Sequence, residues 1–288
     1  MDYILIGHEI VLRTVRVQSC SCLRLIFAAL CVSACVSTRA APQADLQALL
    51  RQAEAAEAKE NYPQAERLYR RALTVAPNDL ETLKRLGLVY QKEMKIDESL
   101  QVFQRVLTAA PRFPEVNLFE GISYLAKQNF ARAIESFERE LGTPEPHPQS
   151  HYYLALALGS SGRTDEAMAE LNRALQNKPT DLDALYQLIH LYNDEAETEL
   201  KQAAQGNPED ASRLTKLARQ HDEAARKTME QLKQAGPDSF QYHSLMGEGY
   251  SEAQRPQEAL REYRRPWPSV RTPWDCTTAS ENPFGPRG

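Results

Sequence analysis

Residues 80–113 read LETLKRLGLVYQKEMKIDESLQVFQRVLTAAPRF, and the same spacing of residue types recurs along the chain. The recurring positions of this segment are Leu86, Gly87, Tyr90, Ser99, Phe103, Val106 and Pro111. The equivalent residues 34 positions after those in its second half are Ala133, Phe137 and Glu140. Those a further 34 positions along are Ala167, Leu171, Ala174 and Pro179. Consecutive units without a gap therefore cover 46–79, 80–113, 114–147 and 148–181, which indicates a repeat architecture.

Each unit predicts two helices, because its apolar residues are spaced by three and four positions. With positions numbered from the first residue of each unit, the helices cover positions 1–14 and 18–31. Asp79 and Asp181 lie where the N-cap of a first helix is expected. Position 8 is Ala or Gly and position 20 is Ala or Ser in these units. Small side chains there would let the two helices approach closely, while the large residue at position 24 fills the space beside them.

This pattern resembles the tetratricopeptide repeat: Leu-Gly-x-x-Tyr, then Ala-x-x-x-Phe/Tyr-x-x-Ala, then Pro, at a period of 34 residues. The resemblance implies an all-α fold, a right-handed α-α superhelix (solenoid) of about six helix-turn-helix units over residues 46–265. A helical bundle without repeats is the alternative. It is disfavoured because one match could be accidental, whereas several in register could not.

The fifth unit, 182–239, contains 24 extra residues between its two helices, and the sixth, 240–265, is truncated. The two apolar stripes continue through the insertion. Between them Gly206 can end one helix, Asn207 can cap the next, and Pro208 suits its first turn. We therefore expect an extended helical hairpin projecting from the solenoid, with a disordered loop as the alternative.

Residues 1–40 are typical of an export signal, because arginines precede an apolar stretch over residues 25–34. That stretch is shorter than the roughly 18 to 20 residues that a membrane span requires. Residues 32–35, VSAC, resemble the lipobox of bacterial lipoproteins, in which Cys35 would carry the lipid. Cleavage before Ala41 by the ordinary signal peptidase is the alternative. The expected location is the periplasmic face of a bacterial membrane, or the periplasm.

Residues 266–288 break the repeat, since they are rich in proline and show no periodicity. They predict a disordered or loosely docked tail. Pro266 stands at position 27 of the sixth unit, where it would end the last helix near Arg264.

The composition and motifs exclude several classes of function. The net charge of −5 does not suit a nucleic-acid-binding protein. The chain contains no P-loop, no Gly-x-Ser-x-Gly and no His-Glu-x-x-His motif. We therefore predict no catalytic residue, no metal site and no cofactor.

What remains is a surface for binding another protein. In proteins of this repeat class, positions 2, 5, 6, 9, 12 and 13 of the first helices line a concave groove that binds a peptide or a partner helix. The candidate groove residues are Leu118, Phe119, Ile122, Leu125, Tyr152, Tyr153, Leu156, Tyr186, Gln187 and His190. The alternative is that some of them, above all Phe119 and Tyr153 at position 6, pack between units.

The first part of this groove should be basic, with Arg51, Lys84, Arg85 and Lys92 in units one and two. Lys84 also stands at the first position of the Lys/Asn clamp of chaperone-binding members of this repeat class. Leu88 stands where that clamp requires Asn, so recognition of a terminal carboxylate is not expected.

The sequence therefore predicts a non-enzymatic scaffold in the bacterial envelope that binds a partner protein or an extended peptide. Its plan resembles that of outer-membrane lipoproteins of this repeat class that assist the assembly of pili or outer-membrane proteins. The alternative is an accessory, substrate-recruiting subunit of an envelope enzyme such as a polysaccharide synthase or a peptidase.

Overall fold

The computed structural model describes residue 43 and residues 45–265, and every regular element in this part of the chain is a helix. The helices are α1 (45–57), α2 (Tyr62–Val75), α3 (Leu80–Lys92), α4 (Ile96–Ala109), α5 (Val116–Ala126), α6 (Phe130–Leu141), α7 (Ser150–Ser160), α8 (Thr164–Asn177), α9 (Leu182–Gln205), α10 (Pro208–Ala235), α11 (Phe240–Glu252) and α12 (Pro256–Tyr263). Each unit contributes one consecutive pair, so the predicted all-α solenoid is confirmed. The expectations for residues 1–40, including Cys35, and for residues 266–288 lie outside the described residues.

Side-chain caps fix where the helices begin. Asp79 accepts a hydrogen bond from the backbone N–H of Thr82 at 3.0 Å, and Asp181 accepts one from Ala184 at 3.2 Å. Both are the N-caps that the sequence predicts. A cap of this kind typically stabilises a helix by about 1 kcal/mol, because it satisfies an N–H group that has no partner within the helix.

A glycine packed against an aromatic ring joins the two helices of three units. A Cβ atom at Gly87 would overlap the ring of Phe103, and one at Gly121 would overlap Phe137. Gly247 stands in the same relation to Tyr263. The predicted roles of positions 8 and 24 are therefore confirmed in these units, where only glycine lets the helices approach this closely.

Ring stacking then joins one unit to the next. Phe103 of unit two stacks on Phe119 of unit three, with ring centroids 6.2 Å apart and planes inclined by 27°. Phe137 of unit three stacks on Tyr153 of unit four at 6.0 Å and 21°. One continuous apolar core extends through these contacts from α1 into α9, and a second, smaller cluster joins α9, α10 and α11.

The fifth unit is an extended helical hairpin formed by α9 and α10, as predicted, and not a disordered loop. Gly206 follows the end of α9, and the side chain of Asn207 caps α10 by accepting from the N–H groups of Glu209 and Asp210 at 3.1 and 2.9 Å. Further along the two helices, the ring of Tyr192 stacks on His221 at 5.9 Å.

The sixth unit has large apolar side chains that are exposed to solvent. Its last helix, α12, ends at Tyr263, just before the position that the sequence predicts. Phe240, Leu260 and Tyr263 are 41%, 46% and 44% exposed, respectively. Of the helices in the described part of the chain, none combines the length and the apolar character needed to cross a bilayer.

Candidate functional site

The groove residues that the sequence places in unit three are not accessible. Leu118 is completely buried, and Phe119, Ile122 and Leu125 are each 4% exposed. Helix α5 packs mainly against α4 and α6 and also contacts α3 and α7, and Phe119 is stacked on Phe103. The expectation that these four residues line an open groove is wrong, because neighbouring units enclose them.

Of the three groove residues predicted in unit four, one is buried and two are half-buried. Tyr153 is buried against Phe137, which corrects its assignment to the groove. Tyr152 and Leu156 are half-buried. The ring of Tyr152 lies edge-on to that of Tyr153 at 5.4 Å, which fixes its orientation. Desolvation raises the pKa of the Tyr152 hydroxyl well above its usual value, so this group stays neutral.

Unit five places all three of its candidates at the surface. Tyr186, Gln187 and His190 are half-buried, and the rings of Tyr186 and His190 meet edge-to-face at 4.4 Å. The Tyr186 hydroxyl lies 3.5 Å from Glu248 Oε1 in unit six, to which it donates. Burial raises the pKa of Tyr186, so it remains a hydrogen-bond donor at neutral pH.

Helix α11 completes this surface with residues that the sequence analysis missed. Gln241 donates to Asp183 Oδ1 at 2.7 Å, and Ser244 donates to Glu248 Oε1 at 3.2 Å. These residues occupy positions 2, 5 and 9 of unit six, so the register already used for units three to five could have found them. We call the surface formed by Tyr152, Leu156, Tyr186, His190 and Glu248 the inner surface.

A cavity of about 390 Å³ adjoins the inner surface between α9, α10 and α11. Its apolar walls are Ile189, Ala225, Met229, Tyr242, Leu245 and Met246. Its charged lining residues are Asp222, Arg226, Glu230, Lys233, Glu248 and Glu252. We call this cavity the interunit cleft, and it shares Glu248 with the inner surface.

Two of the four basic residues predicted for the first part of the groove, Lys84 and Arg85, lie close to carboxylates. Lys84 Nζ lies 3.2 Å from Glu81 and 3.3 Å from Glu115. Arg85 lies 3.6 Å from Glu57 and also 3.6 Å from Glu81. The positive charge expected of this surface is therefore reduced at Lys84 and Arg85.

Two further histidines each join the two helices of a single unit. His151 and Glu170 join the two helices of unit four at 2.7 Å, and His243 and Glu262 join those of unit six at 2.6 Å. Within the described ranges, no group of three or more His, Cys, Asp or Glu side chains is arranged to hold a metal ion.

Comparison with known proteins gives the repeat class. The tetratricopeptide repeat model matches residues 50–114 and 118–181. A tetratricopeptide repeat protein from Parabacteroides merdae is similar in structure, with a TM-score of 0.58, 15% identity and 76% of each chain covered. The MamA protein gives a TM-score of 0.52 at 18% identity, over 68% of this chain and 96% of its own.

MamA from Desulfovibrio magneticus RS-1 also gives a TM-score of 0.52, at 14% identity over 65% of this chain and 96% of its own. At such identities the likeness concerns the fold. No curated protein matches this chain significantly in sequence.

Proposed function

Residues 50–114 and 118–181 match the tetratricopeptide repeat model, and from that premise we propose that the chain is a non-enzymatic scaffold whose inner surface binds an extended segment of a partner protein. The observation that supports the proposal is the accessibility of Tyr152 and Tyr186, since the equivalent apolar residues of unit three are enclosed. Aromatic side chains that remain partly exposed on adjacent units offer successive contacts to an extended peptide.

The inner surface is already ordered without a partner. Tyr152 is held by Tyr153, and Tyr186 is held by both His190 and Glu248. Side chains fixed in this way lose little conformational entropy when a ligand binds. Tyrosine combines a large apolar ring with a polar hydroxyl, and it is enriched among the residues that dominate binding energies.

The test is the pair of substitutions Tyr152→Ala and Tyr186→Ala together with a photo-crosslinking amino acid at Gln187. We expect crosslinks from Gln187 to a discrete partner in cells, and the tyrosine pair should reduce their yield strongly. Each anchor should contribute about 2 kcal/mol to binding, which corresponds to roughly a thirtyfold change in affinity.

The control is the same crosslinker at Arg173, which is exposed on the second helix of unit four. A partner captured equally from Arg173, or equally by the tyrosine variant, would contradict binding at the inner surface. The melting temperature of the tyrosine variant must remain close to that of the parent protein. A large decrease would show that these rings are part of the core.

The proposed place of action is the bacterial envelope, with Cys35 as a lipid anchor. The support for this is the leader sequence alone, in which VSAC follows a short apolar stretch. Mass spectrometry of the mature N-terminus should find an acylated Cys35. A free Ala41 at the N-terminus would instead indicate ordinary secretion.

Within the envelope, the partner is proposed to be a component of pilus or outer-membrane protein assembly. An accessory role beside an envelope enzyme uses the same binding surface. Identification of the protein crosslinked from Gln187 distinguishes them: a pilus or outer-membrane protein supports the first role, and a synthase or peptidase supports the second.

A further inference from the structure

The interunit cleft has the shape and charge to hold one long cationic side chain. We propose that it binds a lysine or arginine side chain of the partner segment, with the cation paired to Glu248 and the stem lying between the apolar walls. This inference rests on the proposed function, because the segment on the inner surface is the one that supplies the side chain.

The electrostatic environment favours a cation. The positions that face inward in units four to six include no Lys or Arg, but they include Asp183, Asp194, Glu248 and Glu252. Carboxylates of this kind, with no Lys or Arg at the inward-facing positions beside them, attract cationic groups and determine which partners can approach.

The charges within the cleft also favour the binding of a cation. Four carboxylates face two cations there, and Arg226 is already paired with Asp222 at 2.6 Å. The second cation, Lys233, lies close to the short connection between α10 and α11. Glu248 and Glu252 lie two to three helical turns further along α11, so they are left for a cation from outside.

Glu248 retains capacity to accept a hydrogen bond. Its Oε1 atom accepts from Ser244 and Tyr186, whereas Oε2 makes no hydrogen bond within the described part of the chain. The nearest polar neighbour recorded for Oε2 is His190 Nε2, at 3.7 Å, which is beyond hydrogen-bond distance. A charged N–H donor at this oxygen would form a short, strong hydrogen bond.

The walls suit the stem of such a side chain. Ile189 and Leu245 are buried at the base of the cleft, with Met229 beside them. The methylene stems of lysine and arginine bury against apolar surface while their charged ends stay near polar groups. A wholly apolar side chain would use these walls but would desolvate Glu248 and give its Oε2 atom no hydrogen-bond donor, at a cost in affinity.

Gly249 provides a way to close the cleft without disturbing the fold. It lines the cavity, and a Cβ atom added there would meet no atom within 4 Å. Gly249→Leu should therefore fill the cleft from α11, and Glu248→Gln should remove its charge with little change of shape. Ser212→Leu and Glu197→Gln are matched controls, because both residues are exposed on the hairpin.

The experiment is selection of random-sequence peptides displayed on phage against the purified full-length protein and its variants. We expect the parent protein to enrich peptides with a fixed Lys or Arg. Glu248→Gln and Gly249→Leu should abolish that enrichment and weaken the best synthetic peptide about tenfold or more, while both controls retain it. Circular dichroism melting of each variant verifies folding.

The outcomes separate this inference from the proposed function. Selected peptides without Lys or Arg that are lost with the Tyr152→Ala and Tyr186→Ala pair would support the inner surface and overturn the cleft. Cationic peptides that depend on Glu248 and Gly249, but not on the two tyrosines, would support the cleft and overturn binding through Tyr152 and Tyr186. Lys or Arg enrichment that survives both cleft variants overturns the cleft, and no enriched peptide at all overturns both proposals.

Discussion

Gly121 and Gly247 occupy the same position in units three and six, and each lies against the ring at position 24 of its own unit. In unit three that ring is Phe137, which is completely buried because Tyr153 of unit four stacks on it at 6.0 Å. In unit six it is Tyr263, which is 44% exposed. The same local contact is therefore core in one unit and surface in the other, depending on whether a following unit covers it.

This difference shows how stability is distributed in the solenoid. Each unit forms the glycine–ring contact from its own sequence, but the burial of the ring depends on the next unit. The free energy of a repeat array is approximately a sum of such unit and neighbour contributions. The sixth unit, whose ring at position 24 is partly exposed, should consequently gain less from this ring than the middle units gain from theirs.

The largest expected effect comes from removing the two rings. Phe137→Ala should lower the free energy of unfolding by about 3–5 kcal/mol, because it leaves a cavity beneath Tyr153. Tyr263→Ala should cost about 1 kcal/mol, since nearly half of that side chain already contacts water. Urea unfolding of both variants measures the difference. Equal losses would mean that residue 263 is covered in solution.

Much of this fold could be predicted because its rules are local. Asp79 and Asp181 cap helices, and Gly206 and Asn207 turn the hairpin, through contacts with residues close in sequence. The pairing of positions 8 and 24 also lies within one unit, as at Gly87 and Phe103. Periodicity therefore carries the information needed to place these elements.

The site was harder to predict because burial there depends on adjacent units. Phe119 and Tyr153 share position 6, and both are buried because a ring of the preceding unit, Phe103 or Phe137, stacks on them. The position in the repeat predicts which face of its helix a residue occupies, but it does not predict whether a neighbouring unit buries that face. The cleft, in turn, depends on how α11 packs against the hairpin, which no residue spacing encodes.

The second prediction concerns the glycines. Gly121→Ala should destabilise the protein by about 1–2 kcal/mol, because an added methyl group collides with the enclosed Phe137 ring and outweighs the gain in helix propensity. Gly247→Ala should change stability by no more than about 0.5 kcal/mol, since the exposed Tyr263 ring can turn aside. Thermal unfolding of the two variants provides the comparison. A larger loss at residue 247 would show that the terminal ring is held as firmly as the internal one.

Covered interfaces can also enclose groups that would prefer water, and Glu140 of unit three is one. It is 1% exposed at a position that is alanine in units one and four, Ala72 and Ala174. Its Oε1 atom accepts from the backbone N–H of His147 at 3.2 Å, whereas Oε2 has no hydrogen-bond partner in the described range. Burial raises the pKa of this carboxyl group, since the charged form is desolvated.

The third and smallest effect follows from the sign of that shift. A carboxyl group whose pKa is higher in the folded state stabilises the fold fully below its unfolded pKa, and this contribution is lost as the pH rises through the folded pKa. Glu140→Gln removes the titration, so the stability of the variant relative to the parent should increase between pH 4 and pH 8. His147, whose pKa is lowered by burial, is present in both proteins, so its contribution largely cancels in the difference.

Glu138→Gln, on the exposed side of α6, is the control and should give a difference in stability that does not vary with pH. Urea unfolding across this pH range measures the stability of both variants. Parallel curves of stability against pH for Glu140→Gln and the parent would show that the carboxyl group reaches water. Unit four would then cover unit three less completely than the full burial of Phe137 indicates.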